Sequence, residues 1–220
     1  MAVAEEALRK SIASATDARA RARLRVELAG VVRARDPAAA RDELANAARE
    51  GGPTQALTLA AIAMARTLPP PERVAWLSGL AQPGDGAPVP SIVVALAGAQ
   101  LDADQPRDAA RTLLALARNE RLPLHHRRAA ANRLVRICDR VDPILGRTAL
   151  YTAAMLATGK ARRGLLRRGL ALPGTIERDP ARLAADDETL ARIVLEWTKS
   201  DGDPLLAAES LARLRAHKHA

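Results

Sequence analysis

PAAARDELANAARE, residues 37–50, and PRDAARTLLALARNE, residues 106–120, lie 69 residues apart and follow one pattern. Set at that offset they align Ala40 with Ala109, Leu44 with Leu113 and Arg49 with Arg118. Both open on a proline after a polar residue, Asp36 or Gln105, and the same Asp-Pro step recurs at Asp142-Pro143 and Asp179-Pro180. An aspartate there accepts free backbone N–H groups, and proline at the first helical position forfeits no N–H that is needed. With Pro71 included, the prolines at 37, 71, 106, 143 and 180 are spaced by 34, 35, 37 and 37 residues. Each is expected to open a helix.

A second set of breaks falls about midway through each period: Gly51-Gly52-Pro53, PGDGAPVP at 83–90, Leu122-Pro123 and Gly159. Every period then holds two helices and a turn. Apolar stripes at about 100° per residue support the second helices: Leu57, Ala61, Met64 and Leu68; Leu124, Ala131, Leu134, Val135, Cys138 and Val141; Leu183, Leu190, Ile193, Val194 and Trp197. IVVAL at 92–96 has strand propensity, but a lone strand among helices would have no partner. The expected architecture is all-α, an α-solenoid of antiparallel helical hairpins in a single repeat domain over 1–220. Its hairpins cover about 2–35, 37–68, 71–103, 106–141, 143–172 and 180–199, with a closing helix at 204–215.

This period of helical hairpins resembles the tetratricopeptide repeat over almost the whole chain, with HEAT-type repeats as the near alternative. The family's pattern of large and small residues is met faintly, by Leu44-Ala45 and Leu150-Tyr151. The resemblance implies a superhelix whose first helices line a groove for a peptide or partner helix.

Composition agrees with helices packed through small side chains. Trp76, Trp197 and Tyr151 are the only aromatic residues, there is no phenylalanine, and leucine and alanine must fill the core. One cysteine forms no intrachain disulfide. Glu5 and Glu6 sit where a signal peptide needs a basic start, and no apolar run approaches the roughly 20 residues of a membrane span, so the expected address is the cytoplasm.

Residues 122–140, LPLHHRRAAANRLVRICDR, raise the question of a site. His126 and Cys138 are about 18 Å apart on a helix, too far to share a metal ion, and the adjacent His125 and His126 diverge by about 100°. Cys138 falls on the apolar stripe, where a thiol is packed rather than activated. PGDGAPVP lacks the Lys-Ser/Thr ending of a phosphate loop, and Asp186-Asp187 reads as a helix cap. No cofactor, metal, small-molecule substrate or catalytic residue is expected.

Charge is the remaining signal. The chain is +9, yet residues 111–178 alone hold fourteen Arg and one Lys against four acids, a net +11. On the helix after Pro123, Arg133, Arg136 and Arg140 lie opposite the apolar stripe. Arg163, Arg167 and Arg168 do the same on the helix at about 160–172. Side by side, two such helices would form one basic patch. On the first helices, Arg41, Arg107, Arg111, Arg118 and Arg147 are expected at exposed positions. A protein partner with an acidic segment suits both surfaces, and the expected function is a non-catalytic scaffold. The alternative is a nucleic-acid-associated protein gripping the phosphate backbone.

Overall fold

A computed structural model describes residues 2–52, 54–81, 88–172 and Leu195. Among these residues the protein is all-α: α1 (Ala2–Ser14), α2 (Ala18–Val32), α3 (Pro37–Gly51), α4 (Gln55–Ala65), α5 (Pro70–Ala81), α6 (Pro90–Asp102), α7 (Pro106–Arg118), α8 (Leu124–Ile137), α9 (Pro143–Leu156) and α10 (Gly159–Ala171). One 3₁₀ turn, Cys138–Arg140, follows α8. The segment 92–96 lies within α6, where Ile92, Val93 and Leu96 are buried despite their strand propensity. The hairpin expected at 180–199 and the closing helix at 204–215 lie outside the described residues.

The caps match the chemistry of the sequence. Asp36 accepts from Ala39 N at 2.9 Å and Asp142 from Leu145 N at 3.0 Å, each with proline in the first turn that follows. Asp17 and Thr54 cap α2 and α4 in the same way, without a proline signal. The helix expected at Pro71 starts one residue earlier, at Pro70.

The chain forms two compact units, Met1–Gln105 and Pro106–Ala220. Consecutive helices pack against each other within each. In the first unit α2 and α3 make the most extensive pair, and α4 also lies beside α2 and α6. In the second, α7, α8, α9 and α10 pack in succession, with α7 also beside α9. The side-by-side helices are thus second helices in the first unit and first helices in the second. Equivalent sequence positions keep equivalent roles: Ala40 and Ala109 are buried, Leu44 and Leu113 are buried, and Arg49 and Arg118 are exposed.

Small residues set the close approaches. A Cβ on Gly51 would lie 2.3 Å from Ala22 Cβ, and one on Gly146 would lie 2.6 Å from the Cys138 carbonyl oxygen. Between α2 and α3, Arg25 donates to both oxygens of Glu50, at 3.0 and 2.9 Å, and to Glu43 at 2.7 Å. The Arg25 hydrogen bond holds the Glu50 carboxyl below the usual carboxylate range, outweighing the opposing effect of burial.

Gly146→Ala should gain helix propensity yet lose about 1–3 kcal/mol by overpacking against a carbonyl that cannot swing aside. Gly30→Ala, with open space around it, should be neutral or stabilising by up to about 1 kcal/mol. Urea denaturation of the two variants reads the difference. Because Glu50 titrates lower when folded, its contribution is present above its unfolded value and is lost as pH falls through the folded one. Glu50→Gln should therefore shallow the fall of melting temperature between about pH 7 and about pH 3.

Candidate functional site

The arginines divide by what they bond. Arg21 of α2 donates to the carbonyls of Ala15 and Thr16 at 2.9 and 3.3 Å, just past the end of α1. Arg73 of α5 donates to Ala65 at the end of α4 and to Leu68, both at 3.1 Å. Arg127 of α8 reaches Ala117 in the last turn of α7 at 3.0 Å, and Arg162 of α10 reaches Ala157 after α9 at 3.1 Å. Each of the four is the fourth residue of its helix. A helix C-terminus leaves four carbonyls without intrahelical donors at the negative end of its dipole, and a guanidinium there satisfies both needs. Nothing in the sequence reading identified these bonds, although the recurring position was visible.

The same duty removes one residue from the expected surface. Arg147, placed by its position among exposed groove residues, is 3% exposed. Its Nε donates to the Gly169 carbonyl at 3.2 Å and its Nη2 to that of Leu172 at 3.1 Å, holding the end of α10 against α9. An arginine is read as exposed on a wheel by its charge, but five donors let it lie buried where carbonyls converge.

The other first-helix arginines are engaged. Arg107 pairs with Asp142 at 3.8 Å, Arg111 with Asp108 at 3.8 Å and Arg41 with Glu72 at 3.7 Å; Arg118 Nε donates to Thr152 Oγ1 at 3.3 Å. On α10, Arg168 bonds Asp139 and the Val135 carbonyl, which joins α10 to the end of α8 and its 3₁₀ turn. Arg167 is exposed and Arg163 half-buried.

Arg133, Arg136 and Arg140 differ from these. All three are exposed, and among the described residues none has an ion pair or side-chain hydrogen bond. Arg133 and Arg136 lie on α8 and Arg140 on the 3₁₀ turn, on the exposed stripe that begins with His125, Arg128, Ala129 and Asn132. The one carboxylate on that face, Asp139, is taken by Arg168. Arg19 and Arg23 of α2 are also exposed, but they share their stripe with Glu27. Charge explains the contrast: residues 1–105 hold twelve basic and twelve acidic side chains, and residues 106–172 hold fifteen against four. The apolar face is turned slightly from the expected one. Ala130, Ala131, Leu134, Ile137 and Cys138 form it, while Leu124 is 47% exposed.

Cys138 is buried, its Sγ donates to the Val135 carbonyl at 3.1 Å, and burial pushes its thiol above the usual range. The His125 and His126 ring centroids lie 4.0 Å apart in the first turn of α8, with the rings tilted at 45° to each other. Among the described residues no group of three or more His, Cys, Asp or Glu side chains is placed to hold a metal ion, and no helix is long and apolar enough to cross a membrane.

Arg147→Ala should cost about 2–3 kcal/mol, because it strands two carbonyls with a charged donor removed, and Arg147→Lys should recover little of that. Arg136→Ala should stay within about 0.5 kcal/mol. Chemical denaturation of the three variants checks the division between structural and surface arginines.

The chain matches no family model, no curated protein and no solved structure. Among the described residues the protein is all-α, with antiparallel helix-hairpin-like contacts in each unit, and Arg133, Arg136 and Arg140 are exposed without ion pairs.

Proposed function

We propose that the protein is a non-catalytic interaction scaffold of tetratricopeptide-like type that holds an acidic segment of a partner protein. The observation that carries this reading is the exposed, unpartnered row of Arg133, Arg136 and Arg140 in a segment of net charge +11. Of the two candidate surfaces, this row is favoured over the first-helix face, whose arginines already have bonding partners. Like charges at helical spacing repel one another, and an anionic partner relieves that repulsion. The buried Cys138 thiol supports a role without nucleophilic chemistry.

The phosphate backbone of a nucleic acid offers the same charge, and the excess of eleven positive charges favours it as the second reading. Among the described residues of the unit that holds α8, the one tyrosine or tryptophan ring that could stack a base, Tyr151, is buried. A buried ring offers no stacking platform for a single strand.

Binding of a labelled poly-glutamate peptide and of labelled duplex DNA, each at about 50 and about 200 mM salt, separates the two. The triple variant R133E/R136E/R140E should weaken peptide binding at least about tenfold while leaving the melting curve in place. Duplex binding that is tighter than peptide binding and collapses with salt would move the nucleic-acid reading ahead. Equal, poor binding by both proteins would leave the row as solvated surface.

A further inference from the structure

Three guanidinium groups stand close together on α8 and the turn after it, without a counter-charge. Arg133 and Arg136 are one turn apart, within about 60° of each other around the helix, and Arg140 follows one turn later in the 3₁₀ turn. Their roots therefore span only roughly 10–12 Å along the axis. All three are exposed and have no ion pair or side-chain hydrogen bond among the described residues, and the neighbouring Asp139 is held by Arg168. Ala129, one turn before Arg133, and Asn132, beside Arg136, are exposed, short and uncharged. The row is thus neither walled off nor neutralised. An arginine side chain is long enough to cross the gap to the next, so the three guanidinium forks can close on one point over Arg136.

Carboxylates suit such a point poorly. Each carries one charge and two oxygens, so three must be gathered at once, and exposed single pairs are weak and screened by salt. A phosphate monoester brings about 1.5 to 2 negative charges and three acceptor oxygens to one place, and guanidinium forks match those oxygens in pairs. Resting on the proposed reading of the α8 face, we infer that Arg133, Arg136 and Arg140 form a receptor for one phosphorylated serine or threonine in the partner segment. Phosphorylation of the partner then switches docking on, and acidic residues around the phosphate add a weaker, general attraction. The bound phosphate relieves the repulsion among the three arginines, which no side chain of the described residues does.

Two labelled peptides of Glu, Gly and Ala, matched in length and charge, test this: one has a phosphoserine followed by alanine at its centre, the other Glu-Glu. At about 150 mM salt and neutral pH the phosphoserine peptide should bind the natural chain about tenfold more tightly. R136A should remove most of that preference, because the point of closure is lost with the middle fork, while the melting curve stays in place. R133K/R136K/R140K, which keeps the charge without the forks, should narrow the difference to about twofold. Equal binding of the two peptides by the natural chain overturns the phosphate receptor; loss of both in R133E/R136E/R140E then still upholds the acidic-partner reading. A phosphoserine preference that survives in R136A or in the lysine variant also overturns the receptor. Tighter binding of duplex DNA than of the phosphopeptide assigns the row to a phosphodiester backbone and overturns both readings. No binding of either peptide does the same.

Discussion

Four of the helix-to-helix turns are held by an arginine side chain bonded back to the carbonyl end of the preceding helix. Arg21, Arg73, Arg127 and Arg162 make this bond from the fourth position of their helices, one across each of four turns. Left-handed glycine is the common alternative for ending a helix, and among the described residues only Gly52 and Gly159 adopt positive φ as glycines. The guanidinium does more than a glycine would, since it fixes where the next helix sets off. Arg73 shows the range of one side chain: it bonds two carbonyls and also the Asp102 carboxylate at 2.6 Å. Lysine, a compact point charge without that planar fork, cannot make the set, and the chain uses thirty arginines to four lysines.

With the helix ends fixed by arginine, the faces between them are left to alanine. The core is Ala and Leu because two helices brought this close leave no room for a large ring between them. The contact of Ala22 with Gly51 is one example. Tyr151 is an instructive exception. It is buried against Gly169, where a Cβ would meet its ring at 2.6 Å, so this large ring is matched to a residue without a side chain.

What could be read in the sequence follows from this division. Proline spacing and Asp caps are local backbone chemistry, so α3, α7 and α9 start where the prolines put them. Periodicity likewise placed Leu57, Ala61, Met64 and Leu134 in the core. Long-range bonds of arginine are not local, and there the reading failed: Arg147 looks like any surface residue until Gly169 and Leu172 are seen to converge on it. Leu124 failed for the opposite reason. A leucine in the first turn has no preceding turn of its own to cover it, so a wheel drawn through α8 assigns it to a core that the helix has not yet reached. For Arg133, Arg136 and Arg140 the wheel sufficed, because exposure opposite an apolar stripe is a property of one helix.

The structural duties of arginine also change what the net charge means. Arg127, Arg128, Arg147 and Arg162 direct positive charge at the carbonyl ends of helices, where partial negative charge offsets it. Arg107, Arg111 and Arg168 are met by carboxylates. A basic composition is therefore largely an architectural requirement of these hairpins and by itself implies no anionic partner. The first unit shows this, since it uses the same arginine devices at zero net charge by supplying as many acids. The second unit could have been balanced in the same way at Ala129 or Asn132, both exposed beside Arg133. A single glutamate at either position would relieve the repulsion without touching a helix end or the core. Its absence from the α8 stripe is the feature that the architecture does not explain, and it is on that stripe, rather than on total charge, that a binding function rests.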